Sequence, residues 1–575
     1  MGSIKKCTLE YSLQIINVIF FFIYLNKNKK GLLSMDKRNF LIKKMISFLA
    51  VFAMFLSFGS PLTSKVVKAS GQAPSANDKA LGTVNNVEEG STVTAYQIVK
   101  GNYNKDGFTG YTVVNDQVKI NDPTKPTSEE IINISKNADI LNSLTKVNMN
   151  GNGTTYTADL SAGYWLVLVT PKEGNQTVYN PMLLGIYYSV SGSNNSMQQG
   201  TVDANSNWTL NGEKAYAKSS KPTIKKEIEN PRSNNAKGSD QAVGQSFNFK
   251  ITSTIPSYSK EYTNVKYIVT DKLSEGLDYN DNSINVTVNG QVVQKGNDTF
   301  TFDEKDSQNI ELNFNSDYVL KHPGEEVVIK YSAKLNDKAT YNFDPNTNNV
   351  TLEYSNSPDI NKEGTKINDR TYQYTFGIDA NLFGNRQDKK KTTSEVIKTD
   401  ENGKVTNIKR EEQEELGNKV EGPLQGAEFK LTPKNGTPGE VLTATSDENG
   451  RLKFTGLATG EYELVETKAP EGYALNNEVQ NVKIAAEYNE NGTLKSYSIT
   501  INDQNTSTYT ATYDGKGNIE KVEDVTNTSI IKNTKLSQLP STGGMGTYIF
   551  TFVGVTLMAG AIGSQFLFGK KKSRV

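Results

Sequence analysis

The chain has 575 residues, enough for several domains that each bury a core. Its 63 basic and 63 acidic side chains cancel, which argues against a nucleic-acid partner held by bulk charge. A single cysteine, Cys7, excludes a disulfide framework within the chain, so any covalent reinforcement must use other chemistry.

At the N-terminus, Lys37, Arg38, Lys43 and Lys44 precede an apolar run from Ile46 to Gly59, and Val67-Lys68-Ala69 follows. A basic region, an apolar stretch too short to span a bilayer and a small-residue cleavage site predict a signal peptide over residues 1–69, cut after Ala69. Residues 1–34 hold a second short apolar stretch, Tyr11 to Leu25. Two readings of it stand: translation starting at Met35, or one long signal peptide using the whole segment.

Residues 70–220 read as a first domain of strands and turns. Val93 to Val99 and Tyr164 to Val169 are strand-like, and Pro126 to Ile132 is a helix start with Ser128 as its expected cap. Residues 221–369 form a second domain. Ser246 to Ile255 alternates Phe247, Phe249 and Ile251 with polar partners, and Ile284 to Val288 turns at Asn289-Gly290 into Gln291 to Val293, a hairpin pattern. Val327 to Ala333 and Val350 to Tyr354 are further strands, and their even spacing predicts a β-sandwich. Residues 370–535 form a third domain with a charged insertion, Lys389 to Glu421, expected to be an exposed loop or hairpin.

Residues 536–575 close the chain with Leu539-Pro540-Ser541-Thr542-Gly543, an uncharged apolar run from Tyr548 to Phe568, and a Lys570-Lys571-Lys572-Ser573-Arg574 tail. The run is long enough to cross a bilayer as a transmembrane helix, with the basic tail held on the cytoplasmic side.

The only histidine, His322, precedes Pro323-Gly324 and has no second histidine with which to bind zinc. No G-x-S-x-G element accompanies it, and phosphate-binding loops are absent. No cofactor and no metal site are expected.

The pentapeptide, span and tail together resemble the cell-wall sorting signal of Gram-positive surface proteins. Leu424 to Leu431, with G-A-x-F-x-L, and Leu457 to Tyr473, with L-x-x-G-x-Y-x-L-x-E-T-x-A-P-x-G-Y, resemble the Cna B-type immunoglobulin-like domain. Taken with the three-domain layout, the chain resembles a major (backbone) pilin of sortase-assembled pili. The fold so implied is all-β, with tandem immunoglobulin-like (Cna-type) sandwiches in an elongated array.

The resemblance implies covalent chemistry without an enzyme. Members of the family join Lys to Asn within a domain, assisted by a buried Asp or Glu. A neutral amine must attack the carboxamide, so both Lys and acid belong in a core that disfavours charge. Strand parity then selects residues. Lys226 shares a face with Ile224 and Ile228; Asp271 with Tyr267, Val269 and Leu273; Asn348 with Val350 and Leu352. Lys226–Asn348 assisted by Asp271 is the expectation for domain two. In domain three, Glu466 is in phase with Tyr462 and Leu464, and Asn533 with Ile531; Lys398, in Glu395 to Thr399, matches the family's Lys strand. Domain one repeats a fragment of the motif, Leu160 to Trp165 against Leu457 to Tyr462, but the position of Glu466 falls on Val169. No such bond is expected there.

The resemblance further implies that a sortase cysteine attacks Thr542 and releases Gly543 with the membrane segment. An exposed lysine of the next subunit then takes the acyl group. Lys218, in Tyr216-Ala217-Lys218, stands at the family's Y-P-K-like position with Ala in place of Pro; Thr170-Pro171-Lys172 is the alternative. The implied partners are further copies of this chain, pilin-polymerising and housekeeping sortases, minor pilins, peptidoglycan and host-surface ligands. A monomeric wall-anchored adhesin or minor pilin is the competing reading.

Overall fold

The computed structural model describes residues 64–69, 71–190, 197, 199–358, 363–379, 394–405, 422–515, 517–536 and 545–568. Cys7, residues 1–63 of the expected signal peptide, most of the charged insertion and Leu539 to Gly543 lie outside the described residues.

Strands dominate because the apolar residues recur at every second position. In Ser246–Thr254 the side chains of Phe247, Phe249, Ile251 and Ser253 are buried while the alternate positions face outward. Full burial of each such aromatic or aliphatic side chain is worth about 1.5–3 kcal/mol, which fixes the register against a one-residue slip.

Domain one pairs an eight-stranded sheet with a four-stranded sheet. Ser64–Ala69, upstream of the expected cleavage point, forms an antiparallel edge strand on Trp208–Gly212. The helix Ser128–Ser135 starts one residue earlier than expected: Thr127, not Ser128, is its cap, and it forms a reciprocal capping box with Glu130. Ser128 has already entered the helix, so its hydroxyl is past the point where it could receive the free amides.

Domain two is a sandwich of two six-stranded sheets. One contains Ile224–Glu229, Ser246–Thr254 and Glu326–Leu335; the other contains Thr365–Tyr374, Asn346–Tyr354 and Tyr267–Leu273 in neighbouring positions. The hairpin expected at Asn289-Gly290 is present, both residues taking positive φ of 48° and 77°.

Domain three has a seven-stranded sheet and two short two-stranded ones. Part of the supposed exposed insertion is core: Val396–Thr399 is a buried strand running parallel to Ser529–Lys532. Its charged flanks mask four consecutive buried positions, which a two-residue period cannot reveal.

The domains are not independent beads. Strand Thr365–Tyr374 crosses the expected boundary at residue 369, and Tyr374, Phe376 and Ile378 pack in the third core. Ile132 and Val178 of domain one pack in the second core.

Met545–Phe568 forms one helix of 24 residues, with Phe552 and Leu557 exposed. Among the described residues, however, no helix is long and apolar enough to cross a membrane. This holds for the described residues and does not decide the span expected from Tyr548 to Phe568.

Candidate self-crosslinking sites and linkage lysines

Among the described residues, two lysines are buried, Lys226 and Lys398. Each lies against a buried carboxyl and a buried asparagine.

In domain two, Lys226 comes from one sheet, and Asp271 and Asn348 come from adjacent strands of the facing sheet, where Leu273 pairs with Asn348 and Asp271 with Val350. All three side chains are fully enclosed. Lys226 Nζ contacts Asp271 Oδ2. It also donates to the Tyr331 hydroxyl at 2.7 Å, which accepts from Asn348 Nδ2 at 2.6 Å. The Nζ lies 5.0 Å and 4.9 Å from the ring centroids of Phe249 and Tyr331. Desolvation pushes the Lys226 ammonium below the ordinary lysine pKa, against the opposing pull of Asp271. The Lys226 backbone is clamped as well: its N–H donates to Asp369 Oδ2 at 2.7 Å, and Lys237 Nζ donates to its carbonyl at 2.8 Å. Neighbouring Lys225 points out and pairs with Glu227 at the surface, as parity requires.

In domain three, Lys398 Nζ contacts Asn533 Oδ1 and lies 3.3 Å from Glu466 Oε2. Asn533 Nδ2 donates to Glu466 Oε1 at 2.7 Å. The parallel pairing of Val396–Thr399 with Ser529–Lys532 sets Lys398 beside Ile531 and brings Asn533 within reach just beyond the strand end. Burial lowers the Lys398 pKa here too, opposed by Glu466.

The structure thus brings together both sets of three residues, five selected by strand parity and Lys398 by the family resemblance. Sequence reasoning missed Tyr331, which touches every member of the domain-two set. The signal was available: Tyr331 is in phase with Val327, Ile329 and Ala333, and an inward tyrosine hydroxyl needs a buried partner. Within domain one no lysine is buried among the described residues.

Gly163 and Gly460, at matching places in the repeated motif, share the same unusual backbone, with φ of 139° and 143°. The position of Glu466 then corresponds to Val169, on strand Gly163–Thr170.

Lys218 is exposed between strands Lys214–Tyr216 and Ser219–Ser220, beside the exposed ring of Tyr216. Ala217, where the family pattern has Pro, donates its N–H to Asn85 O at 2.9 Å, a bond that proline could not make. Lys172 is exposed as well, so exposure does not separate the two. Thr542 lies outside the described residues.

Comparison with known proteins gives the class. Residues 77–219 match the T6 antigen Ig-like domain, 243–358 the Cna-B-like domain of Gram-positive pilin backbone subunit 2, 416–498 a prealbumin-like fold domain, and 531–573 the LPXTG cell wall anchor motif. The chain is thus built from the domains of Gram-positive backbone pilins and is, by homology, a cell-wall-anchored surface protein of that class. It is similar to the trypsin-resistant surface T6 protein of Streptococcus pyogenes serotype M6, 29% identical over 541 residues that cover 85% of this chain and 95% of that protein. The solved T6 backbone pilin of serotype M6 Streptococcus pyogenes, a modular three-domain structure, matches with a TM-score of 0.57 at 22% identity, covering 81% of this chain and all of that one.

Proposed function

We propose that the chain is the shaft subunit of a covalently polymerised pilus, linked between Thr542 of one subunit and Lys218 of the next. Internal Lys226–Asn348 and Lys398–Asn533 bonds reinforce it. The observation that carries this reading is the burial of Lys226 and Lys398, each with a carboxyl and an asparagine at hand, in a chain that ends in a wall anchor.

The chemistry follows from the burial. A charged lysine in a core costs several kcal/mol unless it is paired, and a neutral one is a nucleophile. The neutral amine attacks the asparagine Cγ, a carboxyl proton steadies the developing oxyanion, and ammonia leaves as the amide forms. Asp271 and Glu466 are the assisting carboxyls. Asp271 Oδ1 and Asn348 Oδ1 are both buried acceptors without a hydrogen-bond partner. A proton on Asp271 would supply the missing donor, which supports the neutral pair as the reacting form.

Between subunits, a sortase cysteine forms a thioester at Thr542, and Gly543 departs with the anchor helix. The Lys218 amine of the next copy displaces the thiol. A housekeeping sortase passes the last subunit to peptidoglycan, with minor pilins as further acceptors. Nothing beyond this self-crosslinking is catalytic in the proposal.

Wall extracts boiled in SDS test it. A ladder of multimers is expected from wild type and from Lys172→Ala, and monomer alone from Lys218→Ala. A ladder that survives Lys218→Ala overturns the linkage assignment. Monomer from wild type favours a wall-anchored adhesin.

A further inference from the structure

The two buried sites differ in how the carboxyl reaches the amide. In domain three, Glu466 touches both reactants: Oε1 accepts from Asn533 Nδ2 at 2.7 Å, and Oε2 lies 3.3 Å from Lys398 Nζ. In domain two the acid is Asp271, one methylene shorter. It meets Lys226 Nζ through Oδ2, while its Oδ1 and the Asn348 Oδ1 have no hydrogen-bond partner. The Tyr331 hydroxyl stands in the gap. It donates to Asp271 Oδ2 at 2.5 Å, accepts from Asn348 Nδ2 at 2.6 Å, and receives Lys226 Nζ at 2.7 Å.

We infer that Tyr331 carries the proton from Asp271 to the departing Asn348 nitrogen, a catalytic role that rests on the cross-link reading above. The placement is held by packing: the Tyr331 ring stacks on Phe249 at 5.3 Å and lies tilted on Tyr279 at 5.9 Å. Burial, and then the adjacent Asp271, push the phenol well above its ordinary pKa, so it keeps the proton it must give.

The steps balance. Lys226 Nζ bonds to Asn348 Cγ, and the carbonyl electron pair moves onto Oδ1, which takes the Asp271 carboxyl proton. The adduct nitrogen loses a proton to Asp271 Oδ2. Tyr331 passes its hydroxyl proton to Nδ2, now tetrahedral with a free lone pair, and takes a proton from Asp271 in exchange. The Cγ–Nδ2 bond breaks, ammonia leaves, and the carbonyl re-forms as the proton lent to the oxyanion returns to Asp271. One proton has moved from Nζ to Nδ2, with no co-reactant. In domain three, Glu466 makes the same transfer unaided, because it already touches the leaving nitrogen.

The test uses the Gln72–Thr542 chain, which contains all three sandwiches, with domain three as internal reference. Intact mass over time, followed by peptide mapping, should show wild type losing two ammonia equivalents. Tyr331→Phe should lose one promptly, with the Lys398–Asn533 peptide linked, and form the Lys226–Asn348 link at least about 100-fold more slowly, the lower end of proton-transfer catalysis. Adding Asp271→Glu to Tyr331→Phe should restore the second loss, since the longer acid reaches the leaving nitrogen itself. Wild-type rates in Tyr331→Phe overturn the role. So does a slow variant that Asp271→Glu leaves slow, which would reduce Tyr331 to packing. A wild type without the Lys226–Asn348 peptide instead refutes the cross-link in domain two, and the Tyr331 role with it.

Discussion

At the residue scale, a desolvated lysine gives up stability for a more nucleophilic amine. The Lys226 pKa in the fold is lowered from 10.5 by burial, so between that lowered value and 10.5 the unfolded chain binds more protons than the folded one. Stability therefore rises with pH across this window, is greatest above 10.5, and is lost as pH falls through the folded value. Asn348→Ala keeps the amine free. Its urea midpoint, relative to wild type measured at the same pH, should climb as pH is raised toward 10.5, because a wild type cross-linked as proposed has no amine there to titrate. A constant difference between the two proteins would show that Lys226 is not held in the desolvated state. Strand parity could name Lys226, Asp271 and Asn348 because inward phase is a local property. It could not rank Tyr331, whose importance comes from a gap one methylene wide between two other strands.

At the element scale, the repeated Leu-x-x-Gly motif places a glycine where two strands cross closely. A Cβ on Gly163 would fall 1.9 Å from Val99 O, at a φ of 139° that other residues rarely adopt. Gly163→Ala should destabilise domain one by about 1–3 kcal/mol from the backbone alone. Gly174→Ala, with positive φ but open space around it, should cost less. Urea midpoints compare the two; equal losses would mean that the crossing at Val99 can relax. The strand positions, the Asn289-Gly290 hairpin and the helix at Ser128–Ser135 were legible as local patterns of period and turn chemistry. Val396–Thr399 was legible as a strand only through the family resemblance, and charge alone put it in an exposed insertion, because its burial depends on partners more than 50 residues away, at Arg451 and Ser529–Lys532.

At the scale of the whole molecule, domains two and three share a seam that composition does not announce. Asp240, buried on the strand Gly238–Asp240, accepts from the Thr459 N–H at 2.7 Å and from the Tyr488 hydroxyl at 3.2 Å, and Arg232 lies 3.5 Å away. The backbones approach so closely that a Cβ on Gly238 would fall 2.0 Å from Gly492 O. Such a seam couples the two domains through buried hydrogen bonds. Asp240→Ala leaves the Thr459 amide and the Tyr488 hydroxyl without their buried acceptor and should split one unfolding transition of domains two and three into two, read by calorimetry. A single unchanged transition would mean that the continuous strand Thr365–Tyr374 alone couples them.

By itself the sequence determined the all-β class, the wall-anchor motif and the inward phase of Lys226, Asp271, Asn348, Glu466 and Asn533. Period, turn residues and charge boundaries are properties of neighbouring positions and need no partner to be read. Tertiary structure alone decided that Thr365–Tyr374 belongs to two domains, that Val396–Thr399 runs parallel to Ser529–Lys532, and that Tyr331 bridges Asp271 and Asn348. Each of these depends on distances across the sandwich between residues far apart in the chain, where one methylene of side-chain length changes which atoms touch.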